Sequence, residues 1–117
     1  MDWAERARQD LRRADQARAE GNEGRARVCA RRAAGWAAKA YLEAQGVVGV
    51  KKSGFENILQ IRELGVLTAD EDALIEHLTA SLEKDDPAGE SYWPEEIDLV
   101  ADARRLIGVL YPGFGDE

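Results

Sequence analysis

Residue types that usually build reaction centres are scarce in this chain. Its 117 residues include one cysteine, one histidine and three prolines. A single cysteine cannot form an intramolecular disulfide, and a lone histidine has no second ligand with which to hold zinc. We therefore expect neither a disulfide framework nor a bound metal.

Long hydrophobic runs are also missing. No apolar stretch approaches the roughly 20 residues of a membrane span, and Met1-Asp2-Trp3 does not resemble the start of a signal peptide. The composition, 44% hydrophobic and 33% charged, is typical of a folded protein. We expect residues 1–117 to form one cytoplasmic domain that does not contact a membrane.

Motifs of catalysis or cofactor binding are absent from the sequence as well. It contains no Gly-rich phosphate loop, no HExxH and no GxSxG. We interpret His77 as a surface or boundary residue and Cys29 as a small buried hydrophobe, with a catalytic histidine or a reactive thiol as the alternatives. We interpret Asp70, Asp72 and Glu76 as a solvated acidic face, with a divalent-cation site as the alternative. The residues therefore predict no cofactor and do not support an enzyme.

Charge is distributed unevenly along the chain, whose net charge is −7. Residues 1–52 hold 12 Lys and Arg against 7 Asp and Glu, a local charge of +5. Residues 53–117 hold 4 against 16, a local charge of −12. Such polarity favours an anionic ligand or acidic partner on one surface, and the alternatives are head-to-tail self-association and plainly solvated helix faces.

Hydrophobic periodicity and end signals predict five helices and no strand. We expect the helices over about 2–20, 23–45, 55–64, 69–84 and 94–110. Their end signals are the cap Asn22, capping boxes that begin at Ser53 and Thr68, a first-turn Pro94, and the glycines Gly21, Gly46 and Gly65. A substantial loop is expected near 85–93. The prediction is an all-α, antiparallel up-and-down bundle.

The first two helices carry matching stripes of small residues. The first stripe comprises Trp3, Ala7, Leu11, Ala14 and Ala17. The second comprises Ala26, Ala30, Ala33, Ala34, Ala37, Ala40, Tyr41 and Ala44. Since alanine lets helix backbones approach closely, we expect a tight antiparallel hairpin at the centre of the bundle.

A basic edge flanks this hairpin. Arg25, Arg32 and Lys39 recur at intervals of seven, with Trp36 beside them. Guanidinium groups bind phosphate and aromatic faces stack on bases, so these four residues are the candidate site for a nucleotide or RNA.

A second apolar line on the same helix suggests self-association. Val28, Gly35 and Leu42 also recur at intervals of seven. A helix that is apolar on two sides has more surface than one core covers, and a mid-helix glycine favours close approach of another helix. We therefore predict a homodimer through these residues; burial of this line within the monomer, under the fourth and fifth helices, is the alternative.

The N-terminal half resembles a HEPN domain, the small prokaryotic helical bundle often encoded beside a minimal nucleotidyltransferase. The resemblance covers about residues 2–64. Its residues are Asp2-Trp3-Ala4, Ala7, Asp10-Leu11, Ala14, Arg32-Ala33-Ala34, Ala37-Ala38-Lys39-Ala40, Leu42, Gly46 and Ile58-Leu59. It implies a helical bundle, a nucleotidyltransferase partner and a role in a toxin–antitoxin-type or related pair.

Catalytic HEPN ribonucleases are similar in carrying an Arg-x4-6-His motif, which this chain lacks. No histidine follows Arg104 and Arg105, and no arginine lies five to seven positions before His77, where four to six intervening residues would place it. The favoured interpretation is a non-catalytic nucleotide-, RNA- or partner-binding module. The alternatives are a protein-interaction scaffold without a nucleotide ligand and a HEPN ribonuclease with a rearranged site.

Overall fold

A computed structural model describes residues 2–47, 54–80 and 98–114 of the chain. These residues form five α-helices and no strand, which confirms the predicted all-α class. The helices are α1 Trp3–Ala19, α2 Glu23–Ala44, α3 Gly54–Glu63, α4 Ala69–Ala80 and α5 Leu99–Leu110. Each helix contacts the next one in the chain, and α5 also packs back onto α1 and α2. None of the helices described is both long and apolar enough to cross a membrane.

Local capping interactions fix most helix ends at the predicted places. The Asp2 carboxylate accepts a hydrogen bond from the Glu5 amide at 2.9 Å, and the Asn22 side chain accepts one from the Arg25 amide at 3.0 Å. In the capping box of α4, the Glu71 carboxylate accepts from the Thr68 amide at 2.9 Å while the Thr68 hydroxyl accepts from the Glu71 amide at 3.2 Å. These bonds satisfy amides that have no partner within a helix.

The start of α5 differs from the sequence-based prediction. Asp98 is extended, with φ −111° and ψ 97°, and its side chain caps the helix by accepting from the amides of Val100 and Ala101. A continuous helix from residue 94 is therefore wrong, because this cap starts α5 at Leu99. The predicted features at Ser53 and Pro94, the predicted end of the fourth helix at 84 and the 85–93 loop lie outside the described residues.

Helix α2 is the centre of the bundle, since it contacts α1, α3 and α5. The facing alanine stripes are largely confirmed. On α2 the buried members are Ala26, Ala30, Ala33, Ala34 and Ala37, whereas Ala40 is half-buried and Ala44 is exposed. Burial also extends to the other sides of α2 through Cys29, Ala38 and Leu42. A helix that packs against three others has little solvated surface, so the buried residues of α2 extend beyond a single stripe.

An aromatic cluster joins the start of α1 to the end of α5. The Trp3 ring lies 4.5 Å from that of Tyr111 and 5.7 Å from that of Phe114, and Tyr41 meets Tyr111 edge-on at 6.1 Å. Burial in this cluster raises the pKa of Tyr111 above its ordinary value. The contacts anchor the residues after α5 against the α1–α2 hairpin.

Candidate ligand-binding site

A cleft of about 400 Å³ opens between α2 and the start of α3. Its described lining comprises Val28, Arg31, Arg32, Gly35, Trp36, Lys39, Gly54, Phe55 and Asn57. We call this cavity the α2–α3 cleft. Its volume lies within the range of small-ligand pockets, about 300–1,000 Å³.

A glycine–glycine contact sets where α3 begins relative to α2. A Cβ placed on Gly35 would lie 2.8 Å from the Gly54 Cα, and one on Gly54 would lie 3.1 Å from the Gly35 Cα. Real side chains do not tolerate the first of these distances, so the two backbones can touch only where both residues lack a Cβ. The contact brings Phe55 and Asn57 of α3 beside the cationic residues of α2.

Arg32 and Lys39 give the cleft its exposed positive charge. They are two helical turns apart, a rise of about 10.5 Å. The Arg32 side chain is 55% exposed, and Lys39 is half-buried. Both side chains end in N–H donors suited to anionic oxygens.

Arg31 is a third cation of the cleft and is held more firmly. Its Nε donates to the Leu78 carbonyl of α4 at 2.6 Å, and the side chain is half-buried. Burial, together with the nearby positive charge of Arg27, lowers the pKa of Arg31 from its ordinary value. Arg31 keeps its positive charge even so, because a guanidinium group does not lose its proton in proteins.

Trp36 supplies the aromatic surface of the cleft. Its indole Nε1 donates to Asp10 Oδ2 of α1 at 3.1 Å. The Arg6 guanidinium, which does not line the cleft, lies 4.7 Å from the ring centroid. A hydrogen bond at the ring edge and a cation over one face hold the ring in a defined orientation.

Asp10 is a buried carboxylate behind the cleft that sequence reasoning missed. It is only 3% exposed, and its Oδ1 lies 3.6 Å from Arg13 and 3.9 Å from Arg32. The available signal was a carboxylate within the inward-facing series of Ala7 and Ala14, three and four residues away. A charged residue at such a position is rarely buried unless it has partners.

Arg25 does not belong to this group. It lines a separate hollow of about 420 Å³ between α1 and α2, whose other lining residues are Arg13, Gln16, Ala17, Glu20 and Asn22. Of the four residues predicted to bind a ligand, the structure therefore brings together Arg32, Trp36 and Lys39 and leaves Arg25 apart. The spacing of seven placed these residues on one side of α2, but α3 covers only part of its length.

The structure also corrects the residues chosen for a dimer interface. Leu42 is fully buried within the chain, and Gly35 is covered by Gly54. Both residues are thus occupied by packing within the chain, as the alternative proposed, but Gly35 is covered by α3 and not by the fourth or fifth helix. Val28 is 48% exposed and is the one member of the line that faces solvent. The homodimer itself stays a prediction.

Other chemistry-bearing residues are engaged in structural contacts. His77 Nδ1 lies 2.9 Å from Asp102 Oδ2 of α5, which places this histidine at the α4–α5 boundary. Cys29 is buried. Asp72 pairs with Arg62 at 3.0 Å, and Glu76 approaches the same guanidinium at 3.8 Å. Within the described ranges, no three His, Cys, Asp or Glu side chains are grouped to hold a metal ion.

The lining of the α2–α3 cleft suits binding more than proton transfer. Among its described residues there are three cations, two aromatic rings and one amide, but no carboxylate, histidine or cysteine. General acid–base chemistry on RNA would need a group that exchanges a proton near neutral pH.

The chain matches no protein-family model, no curated protein and no solved structure.

Proposed function

We propose that the chain is a non-catalytic binding module that takes a nucleotide, free or as part of an RNA, in the α2–α3 cleft. The observation that carries the proposal is that one cavity holds both cations and aromatic rings, Arg32 and Lys39 beside Trp36 and Phe55. A nucleotide is the common biological ligand with an anionic group and a planar ring joined at short range.

The phosphate would lie near Arg32 and Lys39. Hydrogen bonds from charged donors to phosphate oxygens each contribute about 1.5–3 kcal/mol. The chain is acidic overall, but the three cations of the cleft belong to its basic half, so local attraction does not depend on the net charge. We expect binding that weakens as salt rises.

The base would pack against Trp36. Stacking of a base on an aromatic side chain contributes about 1–3 kcal/mol, and a ring whose orientation is already fixed loses less freedom on binding. The hydrogen bond to Asp10 provides that orientation.

Isothermal titration calorimetry with adenosine monophosphate, a short single-stranded RNA and inorganic phosphate tests this function at low salt. We expect both nucleotide probes to bind more tightly than phosphate, because phosphate lacks the stacking contribution. Removing two charges in Arg32→Gln/Lys39→Gln should weaken nucleotide binding at least tenfold, since about 1.4 kcal/mol corresponds to a factor of ten.

The matched control is Arg12→Gln/Arg25→Gln. This control also removes two positive charges, but from exposed positions on α1 and α2 that do not line the cleft. We expect it to change affinity only slightly. Equal losses in the two double variants would mean that general charge attracts the ligand, and no binding of either nucleotide by the wild type would overturn the proposal and favour a protein-interaction scaffold.

A nucleotidyltransferase partner in a toxin–antitoxin-type pair is proposed from the HEPN resemblance alone. The basic cleft would then face a nucleotide shared with that enzyme. A nucleotidyltransferase gene next to the gene for this chain would support the pairing.

A ribonuclease with a rearranged site is the competing function. It would need His77, which in this chain contacts Asp102 and does not line the cleft. Cleavage of single-stranded RNA that disappears in His77→Ala would favour this alternative over the binding module.

A further inference from the structure

The least expected group near the cleft is the buried carboxylate of Asp10, because it lies directly behind two residues that line a basic site. Oδ2 accepts the indole N–H of Trp36 at 3.1 Å, while Oδ1 faces Arg13 at 3.6 Å and Arg32 at 3.9 Å. One carboxylate on α1 therefore connects the aromatic and the cationic part of the cleft. Its burial means that these partners, and not water, stabilise its charge.

The two sides of this carboxylate are held differently. The bond to Trp36 has ordinary hydrogen-bond length, whereas the Arg32 separation is too long for one. Arg32 is also more than half exposed, so its guanidinium can turn towards a ligand at little cost. Arg13 stays beside Asp10 three residues along α1, and it continues to balance the carboxylate when Arg32 turns away.

We propose that Asp10 is a positioning residue of the cleft, which fixes the Trp36 ring and holds Arg32 until the phosphate of a nucleotide takes over that guanidinium. This inference rests on the proposed function for its ligand, but the Asp10–Trp36 part concerns the chain alone. In the free protein the carboxylate takes the place of the anion, and on binding the phosphate replaces it as the partner of Arg32. The ligands favoured by this arrangement carry a planar ring and an anionic group in the same molecule.

Asp10→Asn separates the two roles. Asparagine keeps an oxygen that accepts from the indole N–H, but it removes the charge that competes for Arg32 and repels phosphate. We expect adenosine monophosphate to bind about three- to tenfold more tightly, the effect of one unit charge several ångströms away near a protein surface. Asp10→Ala removes the acceptor as well, and we expect the gain to be lost because the ring is no longer held.

The surroundings of the Trp36 ring are measured by fluorescence, without any ligand. In a Trp3→Phe/Trp93→Phe background, Trp36 is the single tryptophan, and its emission maximum and acrylamide quenching report its surroundings. We expect Asp10→Asn to resemble the parent and Asp10→Ala to be quenched more strongly. Asp15→Asn and Asp15→Ala are the controls, because Asp15 is an exposed α1 carboxylate that pairs with Arg104 of α5.

The outcomes distinguish this inference from the proposed function. Asp10→Asn with unchanged or weaker nucleotide binding would overturn the hold of Asp10 on Arg32, even if the wild type binds nucleotide well. If the wild type binds no nucleotide, the proposed function and the exchange of Arg32 fail together, while the fluorescence comparison still decides whether Asp10 holds Trp36. Should Asp10→Ala not fold, the affinity of Asp10→Asn still decides whether the carboxylate holds Arg32.

Discussion

Replacing Gly35 with alanine probes the backbone contact on which the α2–α3 cleft depends. The new Cβ would lie 2.8 Å from the Gly54 Cα, and the neighbour is backbone, so a helix has to move. Overpacking of this kind lowers the free energy of unfolding by about 1–3 kcal/mol. Alanine returns about 1 kcal/mol through its better helix propensity. We therefore expect a net loss of roughly 0–2 kcal/mol.

Gly108→Ala is the matched control for this substitution. Gly108 lies within α5, and a Cβ there meets no atom of the described residues within 4 Å. We expect this variant to gain about 0.5–1 kcal/mol from helix propensity alone. Because both variants share that gain, the difference between them isolates the strain at the contact, about 1–3 kcal/mol.

Urea unfolding followed by far-UV circular dichroism measures both free energies. The wild type and the two variants are compared at equal m-values, so that a shifted midpoint reports stability and not a change of the unfolded state. If Gly35→Ala were stabilised as much as Gly108→Ala, α3 would not begin on the backbone of α2. The cleft as described would then be refuted.

Three further predictions concern the core, the surface charges and self-association. Ala37 is fully buried on the central helix, so Ala37→Leu should lower the free energy of unfolding in urea by about 1–3 kcal/mol. The hydrogen bond from Arg18 lowers the pKa of Glu23 below 4.5, so its stabilising contribution is present above that pH and is lost as the pH falls through the lowered value. The stability difference between wild type and Glu23→Gln, measured by urea unfolding at several pH values, should therefore vanish in acid; a difference that persists there would contradict this assignment. Leu42→Glu should unfold the chain, because it places a carboxylate in the core, whereas Val28→Glu should stay folded by circular dichroism. Sedimentation equilibrium of Val28→Glu beside wild type then tests the homodimer, and a monomeric wild type at tens of micromolar would end that prediction.

The helix ends show how much of the fold could be predicted from the sequence. Asp2, Asn22 and Thr68 each bond an amide three residues further along, so cap and partner lie within one short stretch of sequence. Gly21 and Gly46 adopt φ of +80° and +75° directly after helices, where few other residues fit. Such interactions need no information from the rest of the chain, and for this reason the helix order and most boundaries were correct.

The candidate site was predicted only in part. Arg32, Trp36 and Lys39 share a side of α2, and helical periodicity is enough to group them. The same periodicity included Arg25, because spacing along one helix does not tell how far a neighbouring helix covers it. The roles of Gly35 and Leu42 were misjudged for the same reason: an apolar residue on a second face predicts burial, but not by which helix.

The sequence by itself determined the helices, their caps and the small-residue faces, because these depend on interactions between residues three or four positions apart. The tertiary structure alone decided which helix packs on Gly35, that Asp10 lies behind Trp36 and Arg32, and that a cleft opens between α2 and α3. Asp10 and Trp36 are 26 residues apart, and Gly35 and Gly54 are separated by 19 positions. Contacts between residues so far apart in sequence depend on how whole helices pack, and a local sequence pattern does not predict that packing.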